Sequence, residues 1–179
     1  MTTIDVTITF NTPFRVAQGH AGGLADETID RENPLPATSL KGLFRDAARD
    51  LASDELVKEV FGARQNQESP WHFSDAQVSI EPQIRIRARV SIDEDRRAEP
   101  GALFFGEEAH VTTGRAQIEL TRPLPEDKHE RHVALLHLAA RTIDGIGSDR
   151  RRGLGWVNME TNATETELRR FAELIVRKP

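Results

Sequence analysis

No cysteine occurs in the 179 residues, so disulfides, thiolate zinc sites and thiol nucleophiles are excluded. No apolar run reaches the roughly 18 to 20 residues a membrane helix needs, so no membrane partner is expected. The six histidines form no HExxH arrangement, which removes the commonest helical zinc motif. The amino terminus, MTTIDVTITF, lacks a basic leader followed by an apolar stretch, and a cytoplasmic protein without a secretion signal is the expectation. Repeats and low-complexity segments are also missing. What is present is the composition of an ordinary globular chain, and the length points to a single domain over residues 1–179.

A formal net charge of -5 by itself disfavours a polyanionic ligand, because phosphate contacts are made by lysine and arginine. Distribution matters more than the sum. Lys41, Arg45 and Arg49 form one group, Arg85, Arg87 and Arg89 a second, Arg96 and Arg97 a third, and Arg150, Arg151 and Arg152 a fourth. Acidic residues collect at 93–95, 107–108 and 160–167, so an acidic molecule can still present a basic track.

Residues 4–10 alternate Ile4, Val6, Ile8 and Phe10 with polar neighbours, the period of a strand with one buried face. The pattern then dissolves over 11–36, a connection carrying Gly19, Gly22 and Gly23. Connections longer than about 15 residues are uncommon in a compact domain and usually functional. A helix follows, with Leu40, Leu43, Phe44, Ala47, Ala48 and Leu51 at helical spacing and Thr38 or Ser39 available as its cap. Lys41, Arg45 and Arg49 lie four apart on one stripe, which suits either a solvated face or an anionic ligand. A short helix is expected over 53–61, capped by Ser53 and ended by Gly62. An exposed loop over 63–70 and a strand in WHFSDAQVSI come next. Trp71, His72 and Phe73 could stack on bases, although Trp71 and Phe73 suit a strand's buried face.

In IRIRARV, residues 84–90, alternation places Arg85, Arg87 and Arg89 on one side of a ribbon and the apolar residues on the other. A charged turn region is expected over 91–101, then a strand pair from ALFF and HVTTGRAQIELTRPL. A helix over 126–143 buries Val133, Leu136, Ala140 and Ile143, with His129, His132 and His137 half-buried or facing solvent. A strand in LGWVNM and a helix near 165–176 complete an α+β chain. Before that last strand lies TIDGIGSDRRRGLGW, where Gly145, Gly147, Gly153 and Gly155 surround Arg150, Arg151 and Arg152. Glycines admit close backbone approach and arginines offer planar donors to phosphate. The loop is neither a GxxxxGK(S/T) nor a GxGxxG motif. It reads as a phosphate-contact candidate, with an ordinary charged turn as the alternative.

Four segments carry a family resemblance. PLPATSLKGLFRDAARD (34–50) resembles a proline, small residue and serine ahead of LKG and a basic helix, and GIGSDRRRGLGWV resembles a glycine-rich loop. EVFGA (59–63) with WHFSDAQV (71–78) is similar to a third signature, and GALFFGEE (101–108) to a fourth. In this order they resemble the RAMP superfamily of CRISPR-associated proteins, in particular the RNA-cleaving backbone subunits of type III effector complexes. One departure stands out: Ala37 and Thr38 occupy the neighbourhood where the signature usually has a glycine.

The resemblance implies an RRM-like, ferredoxin-like core with inserted loops and a thumb hairpin, expected at 82–100 with 19–36 as the alternative contributor. It implies binding to a guide CRISPR RNA and a complementary target RNA, and assembly with other effector subunits or with stacked copies of itself. The active-site loop would be 11–36, and within GGLADETIDR (22–31) Asp26 stands at the catalytic position. His20, Glu27, Asp30 and Arg31 are accessory candidates, and Ser39, Lys41, Arg45, Arg49 and the glycines and arginines of 145–155 are candidate guide contacts. Cleavage would use the target's own 2'-hydroxyl, with Asp26 either assisting proton transfer or holding a hydrated magnesium ion (Mg2+), which needs few protein ligands. Other readings are a non-catalytic guide-binding or capping subunit, a guide-processing endoribonuclease using His20, and a protein-interaction domain without RNA.

Overall fold

The computed structural model describes residues 2–63, 68–79 and 82–176, without the side chains of Pro100, Arg151 and Val176. In chain order the elements are β1 (Thr3–Phe10), α1 (Ala37–Leu51), α2 (Asp54–Phe61), β2 (Trp71–Phe73), β3 (Gln77–Val78), β4 (Gln83–Ile92), β5 (Ala98–His110), β6 (Thr113–Leu120), α3 (Glu126–Thr142), β7 (Val157–Thr161) and α4 (Glu165–Val176). A 3-10 turn spans Arg150–Arg152.

The strands form two separate sheets. One has the antiparallel order β2-β6-β1-β7, with β3 also paired to β6. Taking β2 and β3 as one broken strand, this is a βαββαβ path with the ferredoxin-like arrangement. Ile4, Val6, Ile8, Ala116, Ile118, Val157 and Met159 are all buried, and the helices supply their partners. Phe44 of α1 meets Phe73 of β2 edge to face, with centroids 5.5 Å apart, and Leu135, Leu136, Ala139 and Ala140 bury α3. Each such large apolar side chain contributes about 1.5–3 kcal/mol on burial. The opposite face carries Asp5, Thr7, Thr9, Arg115, Gln117, Asn158 and Glu160. On these strands the one aromatic ring exposed on that face is His72 of β2, in place of the paired aromatics that stack bases on an RRM sheet.

The second sheet is the two-stranded ribbon β4-β5. It overlaps the segment expected to form a hairpin and continues to His110, since β5 starts inside the stretch read as a charged turn. β5 pairs with β4 and not with β6, so the expected strand pair across 101–125 does not form. Ile86 and Val90 remain 50% and 49% exposed, because the ribbon extends beyond the helices that cover the main sheet.

Three local expectations are corrected. Thr38 and Ser39 do not cap α1; Pro36 occupies the cap position, and Asp75 accepts a hydrogen bond from the Ala37 N–H at 2.7 Å. The strand over 71–80 breaks because the Ser74 hydroxyl, not a ladder carbonyl, accepts from the Gln117 N–H; Ile80 lies outside the described residues, as do 64–67 of the expected exposed loop. His132 and His137 are both buried. Trp71 is 2% exposed and donates its indole N–H to His132 Nδ1, so Trp71 and Phe73 serve the core. The cap at Ser53 and the stop at Gly62 are as expected.

Candidate functional site

The long connection is organised along the free edge of β5. Phe14 exchanges two backbone hydrogen bonds with Ala109, and Glu27 forms a parallel bridge with Gly106. Between them Ala17 bridges Ile29 and Gly22 bridges Ala25. Ala25 and Ile29 are buried and Leu24 points out at 84% exposure. The loop is therefore a fixed edge of the ribbon, built where the ribbon leaves the core.

Asp26 sits at this junction and is exposed. Its N–H donates to the Phe105 carbonyl at 2.7 Å, and its Oδ2 accepts from the Phe105 N–H at 2.7 Å. Hydrogen bonds among the described residues engage only Oδ2, so Oδ1 is available to a ligand. Reciprocal bonds to one residue fix the carboxylate on β5.

The accessory candidates divide. Asp30 Oδ1 accepts from the Asn33 and Glu32 N–H groups, which hold its carboxyl below the usual range; it shapes a turn. Arg31 pairs with Glu107 at 2.7 Å, and the other Glu107 oxygen accepts from the Ile29 N–H. The His20 ring is exposed, and its carbonyl accepts from the Thr28 hydroxyl. Glu27 faces Arg15 at 3.3 Å. Among the described residues no group of three His, Asp or Glu side chains could cage a metal. A mostly hydrated magnesium ion needs few protein ligands, and the free Oδ1 of Asp26 fits that demand.

Sequence reasoning missed the residue that joins the parts. Arg15 is 0% exposed. Its Nε donates to the Glu107 carbonyl at 2.7 Å, and its Nη1 reaches Glu27 and Asp149 at 3.3 Å and 3.1 Å. Its guanidinium occupies the space above Gly106, where a Cβ would collide with it. Asp149, the left-handed residue ahead of the 3-10 turn, also accepts from Arg89 of β4 at 2.5 Å. Arg89 in turn lies over the Phe104 ring at 4.6 Å. One buried arginine thus ties the Asp26 loop, the ribbon and the glycine-rich loop together. A lone arginine beside Phe14 carries no periodic signal that it will be buried.

The glycine-rich loop closes onto the same arginine. Gly147 has φ +78, and a Cβ there would strike the Arg15 carbonyl; Ser148 N–H donates to that carbonyl at 2.9 Å. Gly155, at φ +72, crosses the backbone of Ile146 equally closely. Gly145 lies under the Arg150 side chain, whereas Gly153 faces open space. Arg150 and Arg152 are exposed, and the side chain of Arg151 lies outside the described part. A groove of about 320 Å³ lined by Arg87, Arg89, Asp149 and Arg152 joins two arginine groups far apart in sequence.

The stripe on α1 does not act as one unit. Lys41 is half-buried with its ammonium 5.9 Å from the Phe73 ring centre, and burial and the Arg45 charge push its pKa down. Arg45 Nε is buried without a hydrogen-bond partner, and Arg49 pairs with Asp46 at 3.5 Å. Ser39 is half-buried in the first turn.

Comparison with known proteins agrees with this architecture. A family model described as the RAMP superfamily matches residues 7–158. A search of curated proteins finds no match. Among solved structures, a chain of the type III-B Cmr-beta complex bound to cognate target RNA, seen by cryo-EM, aligns with TM-score 0.64 and 18% identity over 89% of this chain and 60% of that one. A chain of apo type III-B Cmr-beta aligns with TM-score 0.67 and 13% identity, over 89% and 97%. At these identities the likeness establishes the fold, and this chain spans only 60% of the first of the two.

Proposed function

From the premise that this chain belongs to the RAMP superfamily, we propose that it is a guide-RNA-binding backbone subunit of a type III CRISPR effector complex that cleaves complementary target RNA. The observation that carries the proposal is Asp26, exposed yet locked to Phe105 at the base of a projecting ribbon. Arg87 and Arg152, exposed at a groove they share with Arg89 and its ion-pair partner Asp149, would follow an RNA backbone without reading bases, leaving sequence to guide-target pairing. Its partners would be the guide, the target and further effector subunits, and the fold neighbour bound to cognate target RNA is in keeping with that.

The chemistry is a transfer within the target strand. A ribose 2'-hydroxyl attacks the adjacent phosphorus, the bond to the 5'-oxygen breaks, and a 2',3'-cyclic phosphate and a 5'-hydroxyl result. The 2'-proton departs to a base and the leaving oxygen gains one, so no other reactant is required. Asp26 Oδ1 would receive the 2'-proton directly or through water, while Oδ2 keeps the carboxylate oriented. Magnesium, when bound, would supply charge stabilisation at the phosphate. Arg15 positions Asp26 indirectly, by joining Glu27 and Glu107.

The test uses the chain assembled with a guide and a labelled complementary RNA, in magnesium and in chelator. Asp26→Asn preserves an oxygen for the Phe105 N–H but removes the charge, so cleavage should fall by about 100-fold or more while RNA binding persists. Cuts unaffected by D26N would overturn the assignment of Asp26, and guide binding with no cuts at all would assign the chain a non-catalytic role in the same kind of assembly.

A further inference from the structure

Trp156 is 54% exposed beside the glycine-rich loop, whereas Trp71, the other tryptophan, is in the core. An exposed indole on a mobile loop would mean little, but this one is fixed at every point. Its N–H donates to the Thr12 hydroxyl at 2.9 Å, its carbonyl accepts from the Asn11 N–H at 2.8 Å, and its Nε1 donates to the Arg150 carbonyl at 3.0 Å. With the polar edge satisfied inside the protein, the ring has only its apolar faces to offer.

The ring lines a groove of about 660 Å³ together with Asn11, Asp46, Asp144, Arg150 and Asn158. That volume lies within the range of small-molecule sites, about 300–1,000 Å³, and accommodates a nucleoside. The lining decides the chemistry. A protein-binding hot spot is depleted in charge around its aromatic anchor, but here one ring is surrounded by two amides, two carboxylates and a guanidinium. Asp144, and Asp46 through the oxygen that Arg49 does not engage, repel a phosphate from the interior and accept hydrogen bonds from amino, imino or hydroxyl donors. Arg150, exposed at the rim, suits a phosphate outside.

We infer that this groove is a nucleotide site for single-stranded RNA, with a base stacked on Trp156, its donor groups or the ribose 2'-hydroxyl on Asp46 and Asp144, and the flanking phosphate on Arg150. The inference rests on the RNA-binding reading above and deepens it, by adding a base-stacking contact to backbone contacts that ignore the base.

The experiment titrates the purified chain with a short single-stranded RNA, reading tryptophan emission and, separately, anisotropy of an end-labelled copy. RNA should quench the wild type but not Trp156→Phe, because Trp71 is shielded in the core. Trp156→Ala should weaken binding about 10-fold. Asp144→Asn should leave binding equal or weaker, and DNA of the same sequence should bind less well. Normal anisotropy with no quench and no effect of W156A would overturn the stacking site and leave the RNA-binding function standing. Tighter binding by D144N would show that phosphate, not base, enters the groove, which overturns the assignment. Unchanged RNA binding with loss of self-association in W156A would make the ring a protein contact and overturn it too. No RNA binding by any variant would overturn the function and the site together.

Discussion

The main sheet and the β4-β5 ribbon are held by different forces. The sheet is covered by α1 and α3, and its buried face is continuous apolar contact from Trp71 to Met159. The ribbon leaves Ile86, Val90, Ile92 and Leu103 exposed and is tied down at its base by Arg15, Glu27, Glu107, Arg89 and Asp149. Apolar burial is non-directional and stabilises the fold as a whole, whereas hydrogen-bonded charges fix geometry. The part of the molecule proposed to do chemistry is positioned by the directional kind.

Substitutions should separate the two. Phe44→Ala removes a buried ring from the sheet's helical cover and is expected to cost about 3–5 kcal/mol in global stability, measured by chemical denaturation. Arg15→Met keeps the apolar stem but leaves Glu27 and the Glu107 carbonyl without their guanidinium, while Asp149 retains Arg89, with an expected cost of about 3 kcal/mol. The distinguishing measurement is hydrogen exchange. R15M should accelerate exchange at Phe105 and Glu107, whose amides bond the Asp26 loop, while β1 and β6 amides slow and quicken only with global stability. Uniform acceleration across both sheets would show that the ribbon and core form one cooperative unit.

A smaller effect sharpens the same contrast through pH. Burial pushes the His132 and His137 imidazoles below their ordinary pKa. The unfolded chain then binds more protons than the native one below about pH 6.5, so stability is complete above that value and declines as pH falls toward the native pKa values. Carboxylates held low by hydrogen bonds, such as Asp75, contribute stability across this whole range and lose it only at more acidic pH. Denaturation midpoints at pH 7.5 and 5.5 should therefore differ, and His132→Gln should reduce the difference. Exchange at Phe105 should follow the core rather than change first, because both histidines lie on α3.

Much of the core was legible. Period-two alternation located β1 and the arginine face of β4, helical spacing located α1, and Ser53 with Gly62 bracketed α2. These are local signals, carried by residues two to four apart. Errors arose where a distant residue satisfied a local need. Asp75 rather than Thr38 or Ser39 serves the start of α1, and β5 joins a ribbon instead of pairing with β6.

The same division applies to the site. The grouping of glycines and arginines at 145–155, the acidic loop around Asp26 and the absence of any cysteine belong to the sequence alone. So do the family signatures that led to RAMP membership. Tertiary structure decided that Asp26 is anchored to Phe105, that Arg15 is the buried link among three segments, and that Trp71 is interior while Trp156 faces a groove. Burial and ion pairing depend on which segments meet in space, and a residue's neighbours along the chain do not specify partners more than a hundred positions away.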